Sequence, residues 1–415
     1  MVTLSSPAVE PPPRFRVLDG LRFVAAMSVV GFHFTARESE VWGTTPDRVF
    51  PTLSQYAAYG TLGVEFFFVI SGFVILMTAW DRSVASYTAS RIGRLFPAYW
   101  AGALLSAFLL LVLWPEGRPT DVGEVLVNLT MAHEAWGVHR LEGVYWTLWI
   151  ELRFYVLVGL LMVVGITRGR LLAFCALWPV AAAVAGSTGS PLLEAVLMPT
   201  HAPLFAGGMM LFFITREGHS LLAWLVVAGN AVFAANAADH GARGRIDDIT
   251  AVEHSSVVVW VVTLGCFAVV AAASMTRLRA VSWGWLTVLG ALTYPLYLVH
   301  EFWGRYVIEL LSPRLPGHLV LALAVGVGLA LAWLVHRYVE RPFSARLRRS
   351  VQRTLEEPAR RHPAGAPSVA PAAAAAAPAA VRGRNVAADL PDDETTRMPP
   401  QSFAPAGRHA ALSRR

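Results

Sequence analysis

The chain has no lysine: all 34 of its basic residues are arginine. It is also short of charge of either sign, with 15% charged residues where soluble domains carry about 25%. That shortage excludes an ordinary soluble globular domain. Its only cysteines, Cys175 and Cys266, both fall inside apolar runs, which excludes a disulfide framework and predicts buried free thiols. A cleavable leader is not expected either. Arg14 and Arg16 resemble a basic start, but Asp19 and Arg22 interrupt the apolar run behind them and no small-residue cleavage site follows, so the segment reads as a retained span. What is present is hydrophobicity, at 55% of residues and a mean hydropathy of +0.50. A pI near 9.7 would suit a nucleic-acid binder, but the arginines up to residue 349 lie mostly in short loops between apolar runs. They read as topology signals, and no nucleic-acid partner is expected.

Apolar runs long enough to cross a bilayer fall at about 17–35, 61–80, 96–114, 144–165, 171–188, 195–214, 221–237, 255–274, 285–302 and 319–337. The expectation is an all-α polytopic membrane protein with about ten transmembrane helices. With the N-terminus in the cytoplasm, fifteen arginines up to residue 349 lie on the inner side and eight on the outer. The excess favours that orientation, with both termini cytoplasmic. Three regions are predicted: a cytoplasmic segment 1–14, a membrane domain 15–345, and a cytoplasmic tail 350–415. The tail is rich in Pro, Ala and Arg, cannot bury a core and is expected to be disordered. Within the 116–143 loop, an amphipathic stretch suits the membrane surface.

The most informative run is Val17 to Phe34, which carries Asp19, Arg22 and His33 inside an apolar span. Ionisable groups in hydrocarbon cost several kcal/mol each and usually mark function. Arg22 and His33 are eleven residues apart, about 16 Å along a helix. Near Arg22 in depth come Arg91 and Arg94 of RIGRLFPAYW, three apart and so on one helix face, with Arg341 after the last span. Together they suit a basic cytoplasmic mouth for phosphate groups. The outer half collects His33, Glu65, Glu151 and His300, which enter from the other side and are expected to approach one depth. A histidine beside carboxylates suits general-base chemistry on a hydroxyl, although His300 also suits a plain interhelical hydrogen bond. Ser71 lacks the context of a nucleophile elbow; Gly63, Ser71 and Gly72 more simply permit close helix packing. The sequon Asn128-Leu129-Thr130 is a short motif, and His133 and His139 lack metal-site spacing, so no metal is expected.

Six blocks in order, LDGLRFVAAMSVVGFH, GVEFFFVISGFVI, RIGRLFPAYW, YWTLWIELRFY, YPLYLVH and VERP, resemble the membrane-bound acyltransferase-3 family over roughly 15–345. The family's arginine–ten residues–histidine pattern falls on Arg22 and His33, its R-x-x-R pattern on Arg91 and Arg94, and its fourth-span glutamate on Glu151. Glu65 stands where aspartate is commoner, and Thr147 where serine is common. The resemblance is to the stand-alone branch, without a fused SGNH-type hydrolase domain. It implies O-acyl transfer, often of acetyl, from cytoplasmic acyl-CoA to a hydroxyl of a carbohydrate or glycolipid, in the cell membrane. No cofactor is implied beyond the acyl-CoA substrate. His33 would act as general base or acyl relay, with Glu151 and Glu65 as further catalytic groups, and Arg22, Arg91 and Arg94 would hold the donor. Asp19, Ser71 and His300 are secondary candidates. A transporter for a glycoside or lipid-linked sugar is the alternative, since buried charges in ten spans fit that class too.

Overall fold

The computed structural model describes residues 15–361; segment 1–14 and the tail beyond 361 lie outside the described residues. Ten long helices follow the ten expected spans: α1 Arg16–Thr35, α2 Gly63–Ala79, α3 Val84–Phe108, α4 Trp146–Val164, α5 Arg168–Ser187, α6 Ala202–Glu217, α7 Leu221–Ala242, α8 Ser256–Met275, α9 Gly284–Leu311 and α10 Gly317–Val335. An eleventh, α11 Arg341–Arg361, continues from α10 through a wide π turn at His336–Glu340. No strand occurs among the described residues; Arg37 and Thr250 form only an isolated bridge. The protein is an all-α polytopic membrane protein.

Among the described residues, nine helical stretches are long and apolar enough to cross a membrane, and α9 is not one of them. Its 28 residues make it about 42 Å long, so length is not the obstacle. The deficit in apolarity comes from Thr293, Tyr294, Tyr297, His300 and Glu301. Of these, Thr293, Tyr297, His300 and Glu301 are buried, so the polar groups of α9 face the protein rather than lipid. Helix α9 packs against α1 and α10, and Gly290 permits the crossing with α1: a Cβ there would lie 2.5 Å from the Cβ of Asp19. Large apolar side chains elsewhere point outward, among them Val156, Leu160 and Val163 on α4 and Leu177 and Val184 on α5, as suits contact with lipid tails.

Two expectations change. Residues 350–361, assigned to the tail by composition, continue α11. There the arginines lie among apolar residues at helical spacing, and α11 packs along α3. The 116–143 loop does not simply lie on a surface. Helix Val122–Asn128 exposes Val122 and Leu126, but Val125, Asn128, Met131, His133 and Leu141 are buried. The side-chain amide of Asn128 donates to Glu124 O and His139 O, and its carbonyl accepts from Leu141 N, so the sequon asparagine is an internal tie that pulls the loop into the bundle.

Candidate active site

Six of the sequence candidates line one cavity of about 290 Å³: Asp19, Arg22, Ser71, Arg91, Arg94 and Glu151. Helix α1 supplies the first two, α2 the serine, α3 the paired arginines and α4 the glutamate. Arg91 and Arg94 share a face of α3 as their spacing predicts, but their exposure differs: Arg91 is buried and Arg94 exposed. The Arg91 guanidinium lies over the rings of Tyr87 and Tyr155, at 6.0 and 5.7 Å, and its Nη2 donates to Ser90 Oγ at 3.3 Å. Its buried Nε has no partner among the described residues. Glu151 accepts hydrogen bonds from Tyr155 Oη at 2.6 Å and Ser71 Oγ at 3.3 Å, and Arg22 lies within electrostatic reach of Arg94, Glu151 and Asp19.

Glu151 therefore belongs with the arginines, not with His33 as its place in the sequence suggested. The loop explains the error. Tyr145 is fully buried and Glu142 has no exposed surface, so α4 begins inside the bundle, and counting depth from the edge of the apolar run misplaces its first turns. Arg341 does not line the cavity. Ser71 lies in the site, but as a donor to a carboxylate rather than as a packing residue alone.

His33 and His300 form a second cluster with no share in the cavity lining. Their rings meet edge to face, with centroids 5.3 Å apart. His33 and Arg22 are nearly three whole turns apart, so they lie on one side of α1 at its two ends. His33 Nδ1 stands 3.6 Å from Glu301 Oε1 and 3.4 Å from Arg37 Nη1. Arg37 in turn donates to the same carboxylate oxygen at 2.7 Å. Nε2 of His33 makes no hydrogen bond among the described residues. His300 Nδ1 reaches the carbonyls of Leu296 and Tyr297 at 3.2 and 3.0 Å, within its own helix and not between helices as expected, and its buried Nε2 has no partner among the described residues. A second buried carboxylate, Glu142, accepts from Ser106 Oγ at 2.6 Å and from Phe302 N at 3.2 Å. Burial, then the neighbouring Glu301, raises the pKa of Glu142 to about 8. Between the two clusters stands Tyr297. It lines the cavity, bonds Thr147 Oγ1 at 2.9 Å and packs its ring 5.8 Å from that of His300.

Glu65 joins neither group. It is buried and ion-paired with Arg245, in the π turn Arg243–Asp247 that follows α7. Sequence reasoning passed over Glu301, Arg37, Tyr155 and Glu142. Glu301 carried the one available signal, since a glutamate directly after His300 sits inside an apolar run and needs a partner. Among the described residues no group of His, Cys, Asp or Glu is arranged to hold a metal ion.

The family model described as an acyltransferase domain matches residues 15–337. The chain belongs to the acyltransferase-3 family. Several curated proteins resemble this chain in part. A Rhizobium radiobacter protein named protein 2 in the picA locus is 31% identical over 122 residues, 28% of this chain and 56% of the relative. The exopolysaccharide production protein ExoZ of Rhizobium meliloti (strain 1021) is 37% identical over 105 residues, 23% of this chain and 32% of the relative. YrhL of Bacillus subtilis (strain 168), provisionally named a peptidoglycan O-acetyltransferase, is 26% identical over 190 residues, 40% of this chain and 27% of the relative. The chain thus spans between about a quarter and just over half of the length of these relatives. No solved structure matches it.

Proposed function

We propose that this acyltransferase moves an acyl group, acetyl in the simplest case, from acyl-CoA to a hydroxyl of a cell-surface carbohydrate. The observation that carries the reading is the division of α1 into two chemically different ends. One end opens into a cavity with three arginines; the other holds a histidine against a buried carboxylate. The names of the relatives, which concern exopolysaccharide production and peptidoglycan O-acetylation, support a polysaccharide acceptor. The arginine excess puts the cavity mouth on the cytoplasmic side of the cell membrane, where acyl-CoA is available.

On this reading Arg22, Arg91 and Arg94 bind the donor phosphates, and the unpartnered Nε of Arg91 is one donor such an anion satisfies. Glu151, fixed by Tyr155 and Ser71, is a positioning residue that balances Arg22 and spaces the arginines, rather than a catalytic one. The pantetheine arm runs towards Thr147 and Tyr297. Glu301 Oε1 stands 3.6 Å from His33 Nδ1; a closure of about half an ångström, with Arg37 donating to the carboxylate alone, lets Glu301 accept the Nδ1 proton and leaves Nε2 with its lone pair free. Nε2 removes the acceptor hydroxyl proton as the oxygen attacks the thioester carbonyl, and CoA leaves as the thiol. In the relay version, Nε2 itself takes the acyl group and then yields it to the hydroxyl. Both versions need the same histidine. Glu65, clamped by Arg245, holds α2 to the end of α7 and takes no part in the chemistry.

The test is purified protein in lipid nanodiscs with labelled acetyl-CoA and a panel of bacterial polysaccharides. Label transferred to glycan with release of CoA is the expected result. Counterflow of unmodified glycan without transfer would sink the enzyme reading in favour of transport.

A further inference from the structure

Two arginines outside the cavity have no role in the chemistry above. Arg82 occupies the turn between α2 and α3, and Arg348 lies on α11. Gly93 brings the second to the cavity arginines. Helix α11 crosses α3 at this glycine, where a Cβ would lie 2.8 Å from both Ser344 O and Arg348 Cβ. Gly93 sits between Arg91 and Arg94, so the crossing delivers Arg348 to the same turn of α3 that carries the cavity arginines.

Arg82 feels the result. Partial burial, then the like charges of Arg348 and Arg91, lower its pKa. The adjacent carboxylate is committed elsewhere: Asp81 accepts from Arg216 Nη2 at 2.6 Å, and Arg216 is held over the Trp80 ring at 5.0 Å. Among the described residues neither Arg82 nor Arg348 makes an ion pair. The start of α3 adds positive potential of its own. Ser83 caps that helix by accepting from Ser86 N at 3.2 Å, and the positive end of the helix dipole lies at the same turn as Arg82. Guanidinium groups gathered without a counter-charge repel one another, and an anion relieves that repulsion.

The cavity itself holds three arginines against Asp19 and Glu151, one net positive charge. Arg82 and Arg348, grouped around Arg91, raise the net charge to three. We propose that Arg82 and Arg348 form a second phosphate subsite, which holds the ribose 3′-phosphate of the acyl-CoA donor while Arg22, Arg91 and Arg94 hold its diphosphate. The proposal rests on the acyl-CoA reading and deepens it: the donor is a thioester carrier with two separated phosphate groups, and the subsite selects for the outer one.

The experiment compares acetyl-CoA with 3′-dephospho-acetyl-CoA as donors for the nanodisc-embedded protein, for the R82Q/R348Q variant and for R82K/R348K. The parent should show a KM about 10-fold higher for the dephospho donor, the value of roughly one charge-assisted phosphate contact. In R82Q/R348Q the ratio of the two KM values should collapse towards one, through a rise in the KM for acetyl-CoA. The lysine pair should restore part of the ratio, which separates lost charge from lost folding. A parent that uses both donors equally, or a glutamine variant that keeps the full ratio, would overturn the subsite alone. A parent that turns over no acetyl-CoA would overturn the acyl-CoA reading and the subsite with it.

Discussion

The two ends of α1 solve opposite problems with the same kind of residue. At the arginine end, positive groups outnumber their carboxylates, Arg94 is exposed, and a buried guanidinium nitrogen is left without a partner. At the histidine end, Arg37 and Arg305 stand against Glu301 and Glu142, His33 is packed against His300, and both carboxylates are buried almost completely. On the proposed reading the first end is completed by a mobile, charged donor, and the second holds one imidazole for proton or acyl transfer at a fixed nitrogen.

The sharpest way to break this comparison is at His33. His33→Ala should lower acyl transfer by at least ~10³-fold, in the range expected when a general base or nucleophile is lost, while the protein still inserts and elutes as the parent does. Normal turnover by a well-inserted H33A protein would remove both mechanisms. Next in size is Glu301→Gln, expected to lower kcat by about 10²-fold with little change in the donor KM. Glu301→Asp should recover part of the loss, and a rise in KM instead would assign Glu301 to donor binding. At the other end, Arg91→Gln and Arg94→Gln should each raise the acyl-CoA KM by about 10- to 100-fold, since a charged hydrogen bond to phosphate contributes roughly 1.5–3 kcal/mol. Unchanged acyl-CoA saturation kinetics would detach these arginines from the donor.

The smallest effect concerns stability. Glu142 has an ordinary carboxyl pKa of 4.5 when unfolded and about 8 in the fold. Between those values the folded protein keeps a proton that the unfolded chain releases, so stability falls as pH rises from about 4.5 to 8 and levels off above. Glu142→Gln keeps the shape and can donate to Ser106 Oγ while accepting from Phe302 N–H. Its Tm in detergent should exceed that of the parent by a few degrees at pH 8 and by less at pH 5. An equal difference at both pH values would show that Glu142 is ionised in the fold.

Much of this was legible beforehand. Arg22, Arg91 and Arg94 do share one cavity, because residues near the ends of neighbouring apolar runs lie at similar depth, and the i, i+3 spacing orients the α3 pair. His33 and His300 do meet. Glu151 and Glu65 did not go where their depth suggested. For Glu151 the cause is a loop that enters the bundle before α4 starts; for Glu65 it is Arg245, which arrives from a π turn that no apolar period announces. Glu301 was hidden beside a more conspicuous histidine.

By itself the sequence determined the class of molecule, the order of its ten apolar helices, and the separation of Arg22 from His33 along one helix. These depend on hydropathy and on a fixed rise per residue, both local quantities. Only the tertiary structure decided which carboxylate faces which basic group: Glu151 to Arg22, Glu301 to His33 and Arg37, Glu65 to Arg245. It also brought Arg348 across to the turn of α3 that holds Arg91 and Arg94. Such pairings depend on how each helix is rotated and tilted against its neighbours, and those angles are set by packing contacts far apart in the chain.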